Sequence, residues 1–163
     1  MELIDGALIS RASPQRLWHA RIVTALELAL KTQSPPGIEA DREITIRLDK
    51  RNRVEPDVLA TTGDYDPDRT FFTPDQVLLV VEVESPESAN RDRTVKLVKY
   101  ACAGIPHYWR VEEEDGLPVV HAYELDRLTR SYASTGIHRR ELRISVPFAI
   151  ELDLDGLVPG RKS

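Results

Sequence analysis

Three residues stand where their types can do chemistry together: Asp57 after Pro56, Glu82 at the end of the apolar run Val77-Leu78-Leu79-Val80-Val81, and Lys96, 14 residues further on. Acidic groups at the ends of buried strands are costly unless paired or bound to metal. Two carboxylates side by side on a sheet are oxygen ligands for a hard cation such as Mg²⁺, which takes one or two of them and completes its shell with waters and phosphate oxygens. A lysine nearby can hold the attacking water and offset charge building on phosphorus. The structural alternative is that Asp57 ends a strand, Glu82 pairs with an arginine, and Lys96 makes an i,i+4 pair with Asp92 worth ~0.3–0.5 kcal/mol. Spacing leaves both readings standing.

The chain is long enough to build a scaffold for such a site. Its 163 residues, 41% hydrophobic and 30% charged, have the make-up of one globular domain over 1–163, since domains mostly hold about 100–150 residues. No apolar run approaches the roughly 20 residues of a membrane helix, so no membrane partner is expected. Met1 to Asp5 is acidic and lacks the basic-then-apolar order of a leader peptide, which points to the cytoplasm. The single cysteine, Cys102, cannot form an internal disulfide or a zinc cluster and is expected in packing. A net charge of −5 counts against a surface that coats DNA indiscriminately, so basic groups must be segregated if nucleic acid is the partner.

Glu2 to Ile9 reads as a hairpin turning at Asp5-Gly6. Ser13-Pro14 predicts a helix start, with Trp18, Ile22, Leu26 and Leu30 as its apolar stripe to about Lys31, before Ser34-Pro35-Pro36-Gly37 ends it. Ile44 to Leu48 and Val54 to Leu59 are expected as two strands of one hairpin, with Asp57 inside the second. Thr61 to Asp75 reads as an exposed loop. Val77 to Val83 predicts a strand buried on both faces. A helix from about Ser88 to Ala103 should bury Val95, Val98 and Cys102 on one face and stop at Gly104. His107 to Val111 begins a strand, Glu112 to Gly116 an acidic loop, and Val119 to Tyr123 another strand. Two more strands are expected over Ser131 to Gly136 and His138 to Ile144. This order describes an α/β or α+β fold on one mixed central sheet flanked by helices.

The run Leu79-Val80-Val81-Glu82-Val83-Glu84-Ser85-Pro86, then Arg91-Asp92-Arg93, Lys96-Leu97, Tyr100-Ala101 and Ala103-Gly104-Ile105-Pro106-His107-Tyr108-Trp109, resembles the Uma-two family of endonucleases in the PD-(D/E)XK restriction-endonuclease-like superfamily. The opening Glu2-Leu3-Ile4-Asp5-Gly6, Ser13-Pro14 with His19, and Pro56-Asp57-Val58 match the same pattern, so the resemblance spans nearly the whole chain. It implies a restriction-endonuclease-like fold and Mg²⁺- or Mn²⁺-dependent hydrolysis of DNA phosphodiesters. Asp57 and Glu82 would hold the metal, with the main-chain carbonyl of Val83 as a third ligand. The superfamily lysine stands two residues after the glutamate, where this chain has Glu84. Lys96 is expected to supply the missing charge, sharing a helical face with Tyr100 and, one turn earlier, Asp92.

Glu84 is either a further metal ligand or a solvent-facing acid on the same strand face as Glu82. Glu27 is either an accessory acid from the first helix or a solvated charge. His19 is either a contact to phosphate or the metal shell or a hydrogen-bonded structural histidine. Arg91, Arg93, Lys96 and Lys99, with Arg47, Lys50, Arg51 and Arg53, are candidates for a phosphate-facing patch or simply solubilising charge. Asp64-x-Asp66-x-Asp68 invites a calcium-loop reading, but Arg69 stands where that loop needs glycine. A homodimer is expected, since cutting two strands suits a symmetric pair. The rival class is a non-catalytic interaction or nucleic-acid-binding module that retains the fold.

Overall fold

The computed structural model describes residues 1–10, 14–86, 89 and 92–160, with the backbone alone of Asp92. The elements are β1 (Glu2–Ile4), β2 (Ala7–Ile9), α1 (Leu17–Gln33), β3 (Ile38–Arg42), β4 (Thr45–Arg47), β5 (Arg53–Val54), β6 (Val58–Thr62), β7 (Phe71–Phe72), β8 (Val77–Val83), a π-turn (Asp92–Lys96) leading into α2 (Leu97–Cys102), β9 (His107–Glu114), β10 (Leu117–Asp126), β11 (Ser131–His138), β12 (Glu141–Ile144) and β13 (Ile150–Asp153).

The main sheet runs β11-β10-β9-β8-β6-β3. It is antiparallel except between β8 and β9, whose strands run parallel. A parallel pair needs a crossover rather than a tight turn, and the segment carrying α2 makes it. On one face Ile22, Val23, Leu26 and Leu30 of α1 pack against Val58, Ala60, Leu79, Val81, Val83, Trp109 and Val111. On the other, Leu59, Val80 and Tyr108 meet Tyr100, Ile105 and the Ile46, Val54 and Phe72 of a second sheet ordered β2-β1-β5-β4-β7. β8 is thus covered on both faces, as its unbroken apolar run predicts.

The two edges of the main sheet differ in kind. β3 carries Glu39, Asp41 and Arg42 along its short length, and the register of β11 on β10 breaks between Ala122 and Tyr123. Among the described residues no helix is long and apolar enough to cross a membrane.

Several expectations are corrected. α1 begins at Leu17, with Arg16 rather than a serine at its cap position; Ser13 lies outside the described residues, as does the expected start of the second helix at Ser88. The single hairpin expected from Ile44 to Leu59 is instead divided between two sheets, β4 and β5 in one and β6 beside β3 in the other. Pro56 has no N–H for a ladder, so the second expected strand breaks into β5 and β6, and Asp57 precedes β6 instead of lying within a strand. The expected loop from Thr61 contains Phe71–Phe72, which pairs parallel to β4 and buries Phe72. Val95 and Val98 face outward, Val98 at 54% exposure, and Cys102 is exposed, because the π-turn rotates Lys96, Tyr100 and Ala101 inward. Glu112 to Glu114 continue β9, leaving Asp115-Gly116 as the turn, with Asp115 at φ 51° and Gly116 at φ 80°. Strand β13 was not foreseen.

Burial pushes the imidazole pKa of His107 below its ordinary value despite Glu124 opposite it in the ladder, and burial does the same for His138. Folding therefore excludes protons that the unfolded chain takes up near pH ~6.5, so this stability is present above that value and is lost as pH falls through the lowered folded pKa. The melting temperature should drop as pH falls from about 7 to about 5, and His107→Gln should flatten that slope. In the core, Leu26→Ala should cost about 2–5 kcal/mol in a denaturant titration.

Candidate active site

The ladder between β6 and β8 sets Val58 opposite Val81. Continued by one residue, it puts Asp57, just before β6, opposite Glu82 at the end of β8. Both are buried, at 4% and 3% exposure, and each has definite partners. Asp57 Oδ2 accepts the Val83 N–H at 2.7 Å. Gln15 Nε2 lies 2.6 Å from His19 Nδ1; the amide can only donate, so the ring proton sits on Nε2. That N–H is aimed at the Val83 carbonyl, 2.9 Å away, with Asp57 Oδ2 at 3.4 Å. The first turn of α1 thus braces the same residue, Val83, that Asp57 grips.

Glu82 is held from the opposite side. Lys96, which closes the π-turn, and Tyr100, one helical turn on, face the sheet together, so the spacing expected of a shared face is realised. Lys96 Nζ lies 2.9 Å from Glu82 Oε1, and Tyr100 donates its hydroxyl to the same oxygen at 2.6 Å. Burial, and after it the charge of Glu82, pushes the Tyr100 phenol well above its ordinary pKa, so it stays a donor. Lys96 Nζ also lies 2.7 Å from Glu2 Oε1 of β1. Glu2 is the residue that sequence reasoning missed; its place in the opening motif was the signal, but its partner lies far along the chain.

Glu84 stands apart from this group. Arg93 donates to both its oxygens at 3.0 and 3.1 Å, and Arg110 donates to Oε1 at 2.9 Å. Both arginines also bond Glu112, which His121 contacts at 2.7 Å. Burial disfavours the Arg110 charge, but hydrogen bonds to Tyr123 and Glu84 and the Glu84 charge outweigh it and raise its pKa. Arg93 is raised chiefly by its hydrogen bonds to Glu84. Arg110 and Glu112 were also unforeseen.

The structure thus brings Asp57, Glu82, Val83, Lys96, Tyr100 and His19 together. Glu27 lies about 12 Å further along α1 than His19, paired with Lys31 at 3.0 Å and Arg42 at 3.8 Å. Lys99 pairs with Asp5 at the hairpin turn. Arg91 and the Asp92 side chain lie outside the described residues.

Among the described residues no three His, Cys, Asp or Glu side chains converge as a metal site. The donors that do lie together are oxygens: two carboxylates and the Val83 carbonyl, which has a second lone pair besides the one facing His19. That set fits a small hard cation, which needs one or two carboxylates and keeps its waters, and does not fit zinc, which prefers nitrogen and sulfur.

A mixed sheet backed by α1, with acids at the ends of two adjacent central strands, is a restriction-endonuclease-like α/β architecture. The chain belongs to the Uma2 family, described as "Putative restriction endonuclease", whose model matches residues 1–155. Its fold is similar to a crystal structure of a putative nuclease belonging to DUF820 from Anabaena variabilis, with a TM-score of 0.73 and 17% identity, covering 96% of this chain and 88% of that one. No curated protein matches the sequence. Both the family resemblance and the expected fold are borne out.

The pairing of Glu82 has a measurable energy. Lys96→Met leaves a buried carboxylate without its cation and should cost about 3–5 kcal/mol in urea unfolding. Tyr100→Phe removes one hydrogen bond to that carboxylate and should cost about 1.5–3 kcal/mol.

Proposed function

We propose that this member of a nuclease family hydrolyses DNA phosphodiester bonds with a bound Mg²⁺ or Mn²⁺, held by Asp57, Glu82 and the Val83 carbonyl. The observation that carries this reading is a pair of buried carboxylates at adjacent strand ends, Asp57 and Glu82, with a buried lysine bonded to the second of them. When bound, the cation supplies Lewis-acid polarisation of the phosphoryl oxygens and a more acidic water. The rest falls to the chain. The Lys96 ammonium, 5% exposed and fixed against Glu82, orients the attacking water and balances the charge that grows on the phosphate oxygens as the new P–O bond forms and the ester P–O bond breaks. Tyr100 prevents Glu82 from rotating, and His19 sets the direction of the Val83 carbonyl. Glu84 keeps its oxygens on Arg93 and Arg110 and tunes the charge beside the site. Arg93, with half its side chain exposed, Lys99 and Arg91 receive backbone phosphates of the duplex. Two copies related by a two-fold axis would set one such site on each strand.

Plasmid nicking in Mg²⁺ and in Mn²⁺, beside titration calorimetry with each metal, tests this. Asp57→Asn keeps the shape of the side chain and should weaken metal binding and slow nicking by about a hundredfold or more. Duplex binding should weaken steeply between low and moderate salt. Wild-type protein that binds neither metal and leaves plasmid intact would overturn the reading in favour of a non-catalytic module, and duplex affinity indifferent to salt would remove DNA as the partner.

A further inference from the structure

The hairpin β1–β2 is attached to the body of the protein in a way that its size does not require. Its ladder with β5 is a single residue pair, Leu3 with Arg53. Side chains and turns do the remaining fastening. At the tip, the Asp5 N–H donates to Asn52 Oδ1 at 2.9 Å, the Gly6 N–H to the Arg51 carbonyl at 3.0 Å, and Arg51 to the Asp5 carbonyl at 2.7 Å, while Lys99 pairs with the Asp5 carboxylate. At the base, the terminal ammonium of Met1 meets Glu55 at 3.1 Å. Between these anchors stands Glu2. One oxygen, Oε1, accepts the Glu55 N–H at 3.0 Å and lies 2.7 Å from Lys96 Nζ.

Glu55 is two residues before Asp57, on the connector that Pro56 prevents from joining a strand. A single carboxylate oxygen therefore ties the connector that presents one site acid to the ammonium that faces the other. We propose that Glu2 is a positioning residue, holding the Lys96 ammonium in a fixed place relative to Asp57, and that the N-terminal hairpin exists in part to deliver it. The ammonium has three protons to direct, and Glu82 and Glu2 together hold it on two sides. Without Glu2, Lys96 keeps its bond to Glu82 but loses the constraint that Glu2 supplies, and the Glu55-Pro56-Asp57 connector loses the acceptor for its amide. The catalytic consequence rests on the nuclease reading above; the placement of Lys96 does not.

Two readouts keep these separate. The first is the acetylation rate of Lys96 by acetic anhydride, followed by peptide mass spectrometry and normalised to the exposed Lys31 in the same full-length molecule. Glu2→Ala should raise the Lys96 rate about tenfold, the size of effect that loss of one charge-assisted hydrogen bond produces, and Glu2→Gln, which keeps an acceptor of the same shape without the charge, should fall between it and wild type. The second is nicking in Mg²⁺, where Glu2→Ala should lower kcat about tenfold with KM unchanged, and Glu2→Gln should recover part of it. Thermal melts identify a variant that fails to fold, in which case Glu2→Gln decides. Wild-type protein that does not nick removes the nuclease reading and leaves the labelling result to judge Glu2. Lys96 labelling at the wild-type rate in a folded Glu2 variant overturns the proposal, whatever the nicking shows.

Discussion

Ionised carboxylates at the ends of central strands have to be solvated by something other than water, and the structure is organised around that demand. An isolated charge in such a place is too costly to keep, so each must find donors. Asp57 uses a backbone amide of the neighbouring strand, which couples its position to the sheet ladder itself. Glu82 uses a lysine and a tyrosine from the crossover, which couples it to the packing of α2. Elements far apart in sequence are in this way locked to one residue, Val83, and to Asp57 and Glu82 beside it.

A second group of charges solves the same problem by a different route. Glu84 and Glu112 are matched by Arg93 and Arg110, with His121 at the margin, and their mutual neutralisation consumes every oxygen of Glu84 in arginine bonds. The two groups sit next to each other yet differ in what they leave available. The arginine-rich group is saturated by rigid, forked donors. The lysine group is built from a point charge and acids whose geometry suits a hard cation. Glu84, two residues after Glu82, serves the arginine group, while the lysine that meets Glu82 comes from the crossover.

Much of this was legible in the residues, and the failures have physical causes. The stripe of Ile22, Leu26 and Leu30 and the unbroken run ending at Val83 declare a helix and a doubly covered strand because burial leaves a direct mark on residue type. Asp57, Glu82 and Lys96 could be named together because they stand in the motifs that carry the family resemblance, whereas their spacing alone left a plain ion-pair reading standing. The face of the second helix was misjudged because a 3.6-residue period cannot foresee a π-turn, which moved Val95 and Val98 outward and Lys96 inward. Phe71–Phe72 was lost because two residues carry no period, and their strand exists only by pairing with β4. Arg110 was invisible as a site neighbour and Glu2 was marked only by its place in the opening motif, since the partners of both are fixed by tertiary folding.

The edges of the main sheet bear on how two copies can meet. An open strand is a template for another chain, and growth of a sheet across a dyad is the easiest way for a β-rich protein to pair with itself or to polymerise. Here one boundary is the charged β3, with Glu39, Asp41 and Arg42, and near the other the β10–β11 ladder breaks register between Ala122 and Tyr123. Both discourage a continuous intermolecular ladder. Any association of this chain is thereby steered toward contacts between side-chain surfaces, which leaves the polar ends of β6 and β8 outside any sheet-to-sheet seam.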